Sequence, residues 1–521
     1  MNFKSSARHS ASEFIAWAAV VLVAAGIVVL LVNLDSQSYW EDELFSVYEA
    51  NQSLPRLFEL ALVEVHTPLY ALLLHSWVAL GGTYETGWTR LLSVLLGITS
   101  IAVAYTSLRS ARLSWEAWWL SVTATSVNGF FIVYALEARP YALLLLGSVG
   151  VTAVSLRSQR AFRDKQRLPW FSWMGWALLA STAHLFGALL VGVLATALAI
   201  IGLFSRRFVQ VALLAGCGAL AVAPQTAWLL LGINRPGFAG GTGWISAPGV
   251  KDVGVLLTTV FSAGDLTART DGFAWLSPWG VVAILAILVV AVVLHFMAGT
   301  RVVKPEVYEL RAAGFLLSCA GLTILAAFVV AQFVHIWTLR NLIAVAPPLL
   351  WGMVCLVCGL PGNAIGRQVV SAAVVVALAV SLVATAGELR RPYKTDFRAA
   401  MDYLIRARSD YPDATFVFLS DNSFLFLNNN SLLTRSLLSA DRPENDPALR
   451  RIFRRRVVLP QKDSSIDLVR RLEGPKVVLY YTNVAERDVE KLNRRLVAEL
   501  GDGCHRVSVY GLIMASCSVR R

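Results

Sequence analysis

Charged residues are scarce in this chain: Asp, Glu, Lys and Arg make up 15% of 521 residues, while 56% are hydrophobic and the mean hydropathy is +0.60. With so few polar groups to cover apolar surface, a water-soluble globule is excluded. Also lacking is a glycine loop suited to cradling a nucleotide phosphate. The run Gly237 to Gly243 (GFAGGTG) has neither a preceding strand nor a following P-loop lysine, so it reads as a flexible lid in an external loop. No repeat or low-complexity segment is evident, and no nucleic-acid partner is expected. Cysteine is sparse, and Cys217, Cys319, Cys355 and Cys358 fall in apolar runs, where a free thiol acts as a small hydrophobe. Cys355 and Cys358 are therefore not a redox motif.

What is present is a series of uncharged runs, each about 20 residues and so long enough to cross a hydrocarbon core of ~30 Å. Spans are expected at Phe14 to Asn33, Leu91 to Leu108, Ala117 to Leu136, Pro140 to Leu156, Leu168 to Ala183, Leu185 to Ser205, Phe208 to Ile233, Gly272 to Met297, Ala312 to Val334, Asn341 to Gly359 and Val369 to Gly387. The expected fold class is a polytopic α-helical membrane protein of roughly eleven spans plus juxtamembrane helices. The membrane domain covers residues 1–387, and an α/β extracytoplasmic domain covers residues 388–521. The first span follows Lys4 and Arg8 like a signal peptide, but its apolar stretch is too long and no small-residue cleavage pattern follows, so it is read as a retained helix.

Pro68 to Leu80 is too short to span, since thirteen residues rise only about 20 Å. Leaving it out assigns to the cytoplasm Lys4, Arg8, Arg109, Arg112, Arg206, Arg207 and the run Arg157, Arg160, Arg163, Lys165, Arg167, as the positive-inside rule requires. The loop from Leu34 to Arg90, with eight carboxylates against Arg56 and Arg90, then lies outside. The chain is accordingly placed as a multi-pass protein of the inner cell membrane, with a cytoplasmic N-terminus and an extracytoplasmic C-terminal domain.

Candidate chemistry collects at that outer face. Asp42 and Glu43 follow Tyr39 and Trp40, aromatics suited to the interfacial belt; a carboxylate held there can accept a proton from a hydroxyl, or it is simply a solvated acidic loop. An amphipathic helix is expected over Ser53 to Val65, capped by Ser53 and presenting Leu57, Phe58, Ala61, Leu62 and Val65 on one face. His66, just before Thr67 and Pro68, is open to metal binding, phosphate binding or capping. Glu137 and Arg139 occupy a short loop at the membrane boundary, where charges have a partner or a task. Arg139 can fork onto a phosphate, or it snorkels while paired with Glu137. His184 and His335 at span ends read more simply as satisfied interfacial residues, and Arg340 follows His335 by five positions.

Taken together, Trp40-Glu-Asp-Glu43, His66-Thr-Pro-Leu-Tyr70 running on to His75, Arg90-Leu-Leu-Ser93 and Glu137-Ala-Arg-Pro-Tyr141 resemble, in order and spacing, the GT-C glycosyltransferases of the protein O-mannosyltransferase and lipid A aminoarabinose transferase branch. The resemblance covers about the first 190 residues, with Arg340 and Lys394-Thr-Asp-Phe-Arg-Ala-Ala400 beyond them. It implies an enzyme that takes a sugar from a polyprenyl-phosphate donor and passes it, with inversion, to a lipid, glycan or protein acceptor at the outer face. By that likeness Asp42 is the general base and Glu43 assists it or binds acceptor. Arg139 and Arg340 hold the carrier phosphate, Glu137 orients Arg139 or contacts the sugar, and His66 and Arg90 belong to the donor site. Thr67 departs from the pattern of two prolines after the histidine, which loosens the role of His66. No cofactor is required by the sequence; a divalent metal is an open alternative, with Asp42, Glu43 and distant histidines as its ligands.

The competing reading is a transporter or lipid flippase, which would place its charges near the bilayer midplane on broken or repeated helices; here the spans are nearly free of ionisable groups apart from His295. A non-catalytic scaffold is a third reading. In the C-terminal domain, strands are expected at Thr415 to Leu419, Lys476 to Thr482 and Gly511 to Ser516, with helices from Thr395 to Arg408, Ser465 to Leu472 and Glu486 to Leu500. Arg450, Arg451, Arg454, Arg455 and Arg456 read as a solvated helix face or a patch for anionic lipid or acceptor. Cys504 and Cys517 lie on two strand-like runs and are expected to pair in an oxidising compartment.

Overall fold

The structure is a computed structural model, and it describes residues 3–62, 66–82, 85–235, 245–261, 307–360 and 364–390, with 403, 406–407, 410, 413, 415–419, 456–459, 476–481, 504–509 and 512–517 beyond them. Among these, eight helices are long and apolar enough to cross a membrane. They lie within α1 (Phe3–Val32), α5 (Thr86–Ser110), α8 (Tyr141–Arg163), α10 (Leu185–Phe204), α11 (Phe208–Gly232), α13 (Val307–Ala331), the 3-10 turn Arg340–Val345 with α14 (Ala346–Gly359), and α15 (Ala364–Glu388). Shorter helices fill the connections: α2 (Glu41–Ala50), α3 (Leu54–Ala61), α4 (Leu69–Gly81), α6 (Trp115–Val127), α7 (Gly129–Ala135), α9 (Trp170–Ala183) and α12 (Val250–Phe261).

Helix α8 is the axis of the bundle and is buried along almost its whole length. It is also the least apolar of the eight, because a helix surrounded by protein gains nothing from a lipid-facing apolar coat and packs through small residues. At Gly147 a Cβ would stand 2.6 Å from the Ala180 Cα, so glycine there is what lets α9 approach. Ser155 on α8 accepts from the Trp173 indole of α9 at 2.9 Å, a polar tie where no water competes.

Two expected spans take a different form. Ala117 to Leu136 is not one helix but α6 followed by α7, broken at Asn128, whose backbone is extended and whose side chain accepts from Phe131 N. Asparagine is a strong N-cap, and its amide also donates to the Val260 carbonyl at 2.6 Å, so local capping and a tertiary contact override continuous hydropathy. Leu168 to Ala183 becomes the 14-residue α9, delayed by Pro169 and stopped where His184 is extended. The expected span Gly272 to Met297, the lid Gly237 to Gly243 and His295 lie outside the described residues. The short run after Pro68 is the 13-residue α4, closed by Gly82 at φ +63°, and α3 is shorter than the expected amphipathic helix, burying Leu57 and Ala61.

The basic turns gather at one end of the bundle. Arg160 Nη1 reaches the carbonyls of Ala111 and Arg112 at 3.4 and 3.2 Å, and Arg207 Nη2 reaches that of Gln166 at 3.3 Å. The 23 residues of α8 separate this end from Arg139 by about 35 Å. At the C-terminus, β1 (Thr415–Leu419), β2 (Arg456–Leu459), β3 (Lys476–Tyr481), β4 (Cys504–Val509) and β5 (Leu512–Cys517) form a five-stranded sheet of order β2-β1-β3-β5-β4. Strands β2, β1 and β3 are parallel, while β5 is antiparallel to both β3 and β4. Arg456 opens β2 rather than standing on a helix face, because the apolar Val-Val-Leu that follows it extends the chain. The helices expected at Ser465 to Leu472 and Glu486 to Leu500 lie outside the described residues, as does most of Thr395 to Arg408.

Candidate active site

The end of α8 opposite the basic turns carries the expected outer-face residues, and it is organised around a buried ion pair. Arg90 on α5 is 1% exposed and Glu43 on α2 is 0% exposed. Arg90 Nε and Nη2 donate to the two carboxylate oxygens of Glu43, each at 2.8 Å. The remaining donors go to main chain: Nη1 to Leu34 O and Gln37 O at 3.2 and 2.7 Å, and Nη2 to Ser38 O at 2.8 Å. All five N–H groups of a guanidinium are thereby used. Glu43 also accepts from Ala138 N at 3.0 Å and Trp40 N at 3.4 Å; the latter contact comes from the N3 position of α2, as in half a capping box.

Two of the expected site residues meet in this arrangement. Arg90, expected at the donor, and Glu43, expected to assist the base or bind acceptor, neutralise one another and stitch the α1–α2 loop to α5 and to the turn before α8. Every hydrogen-bonding direction they face is taken by protein.

Asp42 is the neighbour of Glu43 on α2 but emerges at a different angle, with its side chain 29% exposed. Two guanidiniums approach its Oδ2: Arg340 Nη1 at 2.8 Å and Arg139 Nη2 at 3.7 Å. The Arg340 approach lies off the hydrogen-bonding direction, so the contact is electrostatic. Arg139 is further fixed on α2, donating from Nη1 to Asp42 O at 3.2 Å and Ser46 Oγ at 3.1 Å. Its ring neighbour is Tyr141 at 5.8 Å, and Arg340 lies over Trp40 at 5.0 Å. Glu137 is fully buried, and its carbonyl accepts from Arg139 N at 2.7 Å, so it shapes the turn that aims Arg139.

His66 and His184 complete the cluster. Their rings lie 4.2 Å apart, with Tyr141 at 6.1 Å from His184. Thr67 Oγ1 donates to the Thr182 carbonyl, which docks the His66 turn on the end of α9. His184 Nδ1 accepts from Phe186 N at 3.2 Å, leaving the proton of a neutral ring on Nε2. Burial, then the charges of Arg139 and Arg340, pushes the His66 pKa down to about 3. Burial, then His66 and the same arginines, holds His184 well below its ordinary value. Both rings are neutral hydrogen-bonding groups at neutral pH. His335 lies apart, against the Ile245 carbonyl.

The solved structures that resemble this chain include two of one protein. Both are crystal structures of ArnT from Cupriavidus metallidurans, one bound to undecaprenyl phosphate and one in the apo state. Each alignment covers 95% of this chain and 97% of the other, with identities of 14% and 15% and a TM-score of 0.48 in both. No family model and no curated protein matches the chain.

The structure therefore brings together Asp42, Arg139, Arg340, Glu137 and His66 from the expected set, and sets Glu43 and Arg90 beneath them. It adds His184, Ser46 and Tyr141. Ser46 follows Asp42 by one helical turn and was findable by that spacing; the place of His184 depends on a tilted ring contact with His66 that no local pattern reveals. Among the described residues no group of three His, Cys, Asp or Glu side chains converges as a metal site would require, and Glu43, one of the expected ligands, has both oxygens engaged. Chemically, two guanidiniums facing one partly exposed carboxylate make a site that can bind a phosphate and hold a proton acceptor beside it.

Proposed function

We propose that this chain is a membrane glycosyltransferase that takes a sugar from a polyprenyl-phosphate donor and passes it to a lipid, glycan or protein hydroxyl at the outer face. The observation that carries the reading is the meeting of Arg139 and Arg340, from segments about 200 residues apart, on the carboxylate of Asp42. The motif resemblance points the same way.

In this reading the two guanidiniums bind the donor phosphate and stabilise the charge that develops as the bond between the anomeric carbon and the phosphate oxygen breaks. Asp42 takes the proton of the acceptor hydroxyl, whose oxygen forms the new bond to the anomeric carbon from the opposite face, inverting it. The phosphate leaves on its lipid with the electron pair of the broken bond. His66 and His184, being neutral, suit sugar hydroxyls rather than the phosphate. Glu43 and Arg90 keep Asp42 and Arg139 in register. A polyprenyl phosphate is already an activated leaving group, so the transfer calls for no nucleotide.

The test is turnover of a radiolabelled polyprenyl-phosphate sugar by the purified protein in lipid nanodiscs, surveyed across hexose and pentose donors. Release of polyprenyl phosphate by the wild type and not by Asp42→Asn supports the proposal. Binding of no donor, with intact folding, would overturn it in favour of a transporter or scaffold.

A further inference from the structure

The C-terminal sheet carries the chain's two cysteines outside the apolar helices, and its register places them face to face. Strand β4 pairs with β5 antiparallel, from Val509↔Leu512 outward to Cys504↔Cys517. Only positions 510 and 511 separate the strands, so Val509 and Leu512 are positions i and i+3 of a two-residue connection, which is closed by hydrogen bonds between those positions. Along an antiparallel ladder, hydrogen-bonded and non-hydrogen-bonded pairs alternate. Cys504↔Cys517 is five steps from Val509↔Leu512, an odd number, and is therefore a non-hydrogen-bonded pair.

That is the kind of pair a disulfide fits. Its Cα atoms stand about 4.5 Å apart, inside the span of roughly 4.4–6.8 Å that disulfides occupy. Directly opposed residues also share a face of the sheet, with their Cβ atoms nearer in non-hydrogen-bonded pairs. Among the described residues β4 is moreover an edge strand, paired with β5, and an edge strand presents a row of backbone groups unpaired on its outer side.

We infer that Cys504 and Cys517 form a disulfide linking β4 to β5, and that the sheet lies on the oxidising side of the membrane. The two thiols lose two protons and two electrons as their sulfurs join. The electrons pass to the disulfide of a thiol–disulfide oxidoreductase of that compartment, which is reduced to a dithiol. A cytoplasmic sheet would keep both thiols reduced, so the bond also reports which face of the membrane the domain occupies. The inference is independent of the proposed enzymatic function.

The experiment counts thiols on the full-length protein, trapped in intact cells with acid, denatured, and labelled with a maleimide–polyethylene glycol that shifts its gel mobility. Of six cysteines, four are expected to label before reduction and six after it. Cys504→Ser is expected to expose Cys517, giving five labelled thiols with or without reductant. Six labelled thiols in the untreated wild type would overturn the inference. So would a Cys504→Ser protein whose Cys517 stays blocked, since that thiol would then be paired elsewhere.

Discussion

Asp42→Asn is expected to move two properties in opposite directions. The substitution keeps the volume of the side chain and removes a carboxylate that Arg340 and Arg139 approach to 2.8 and 3.7 Å. If those guanidiniums are the phosphate site, Asp42 stands in for the phosphate in the ligand-free protein, and the donor must take the arginines from it. Two charges about 4 Å apart interact by ~4 kcal/mol at an effective dielectric near 20. The side chain is nearly a third exposed and part of that attraction is screened, so about 1.5–3 kcal/mol is a reasonable share, or roughly tenfold to a hundredfold in affinity.

Polyprenyl phosphate is thus expected to bind Asp42→Asn at least about tenfold more tightly than it binds wild type, while transfer falls by about 10²–10⁴ through loss of the base. Binding is read by titration of a fluorescent polyprenyl phosphate into nanodiscs, and transfer by release of labelled sugar. Tight binding by the variant also certifies its fold. If affinity and turnover fall together, Asp42 is a clamp that organises the arginines, and its role as a displaceable internal anion is refuted.

Three further outcomes follow from the same geometry. Arg139→Lys and Arg340→Lys keep the charge but lose the planar fork, so each should weaken polyprenyl-phosphate binding about tenfold, whereas unchanged affinity would place the phosphate elsewhere. Glu43→Gln leaves Arg90 buried against an uncharged partner and should destabilise the protein by about 3–5 kcal/mol, seen as a lowered melting temperature in detergent; a well-folded variant with only kcat reduced would instead make Glu43 part of the chemistry. For His66, the unfolded chain takes up a proton below about pH 6.5 while the folded site resists until about 3. Unfolded protein thus binds more protons across that window, and stability falls as pH drops from 6.5 toward 3. His66→Asn should flatten that part of the stability curve, and an unchanged slope would show that His66 is not the group responsible.

Much of the bundle was legible because lipid imposes one requirement on every residue of a span. The runs at Phe14, Leu91, Pro140, Leu185, Phe208, Ala312, Asn341 and Val369 all coincide with long helices, and the short run after Pro68, left out of the spans by its length together with the positive-inside rule, is the 13-residue α4. The breaks were harder. Asn128 interrupts an apolar stretch through a cap and a contact with Val260, and the second of these lies 132 positions away. Strand Thr415–Leu419 matched its expected bounds, since a β-branched and aromatic run between turn residues has few alternatives.

The site divides along the same line. Composition and spacing by themselves determined that this is a helical membrane protein and that its carboxylates, arginines and His66 gather in connections at one face, because hydropathy and the bias of basic loops act on each segment independently of the others. They could not distribute the work between Asp42 and Glu43, which are adjacent and chemically alike. Only the tertiary structure decided that Glu43 turns inward to meet Arg90 while Asp42 faces two arginines. The physical reason is that a buried carboxylate must find a partner at a fixed distance, and the partners come from α5, the turn before α8 and the segment before α14, whose meeting depends on the packing of the whole bundle.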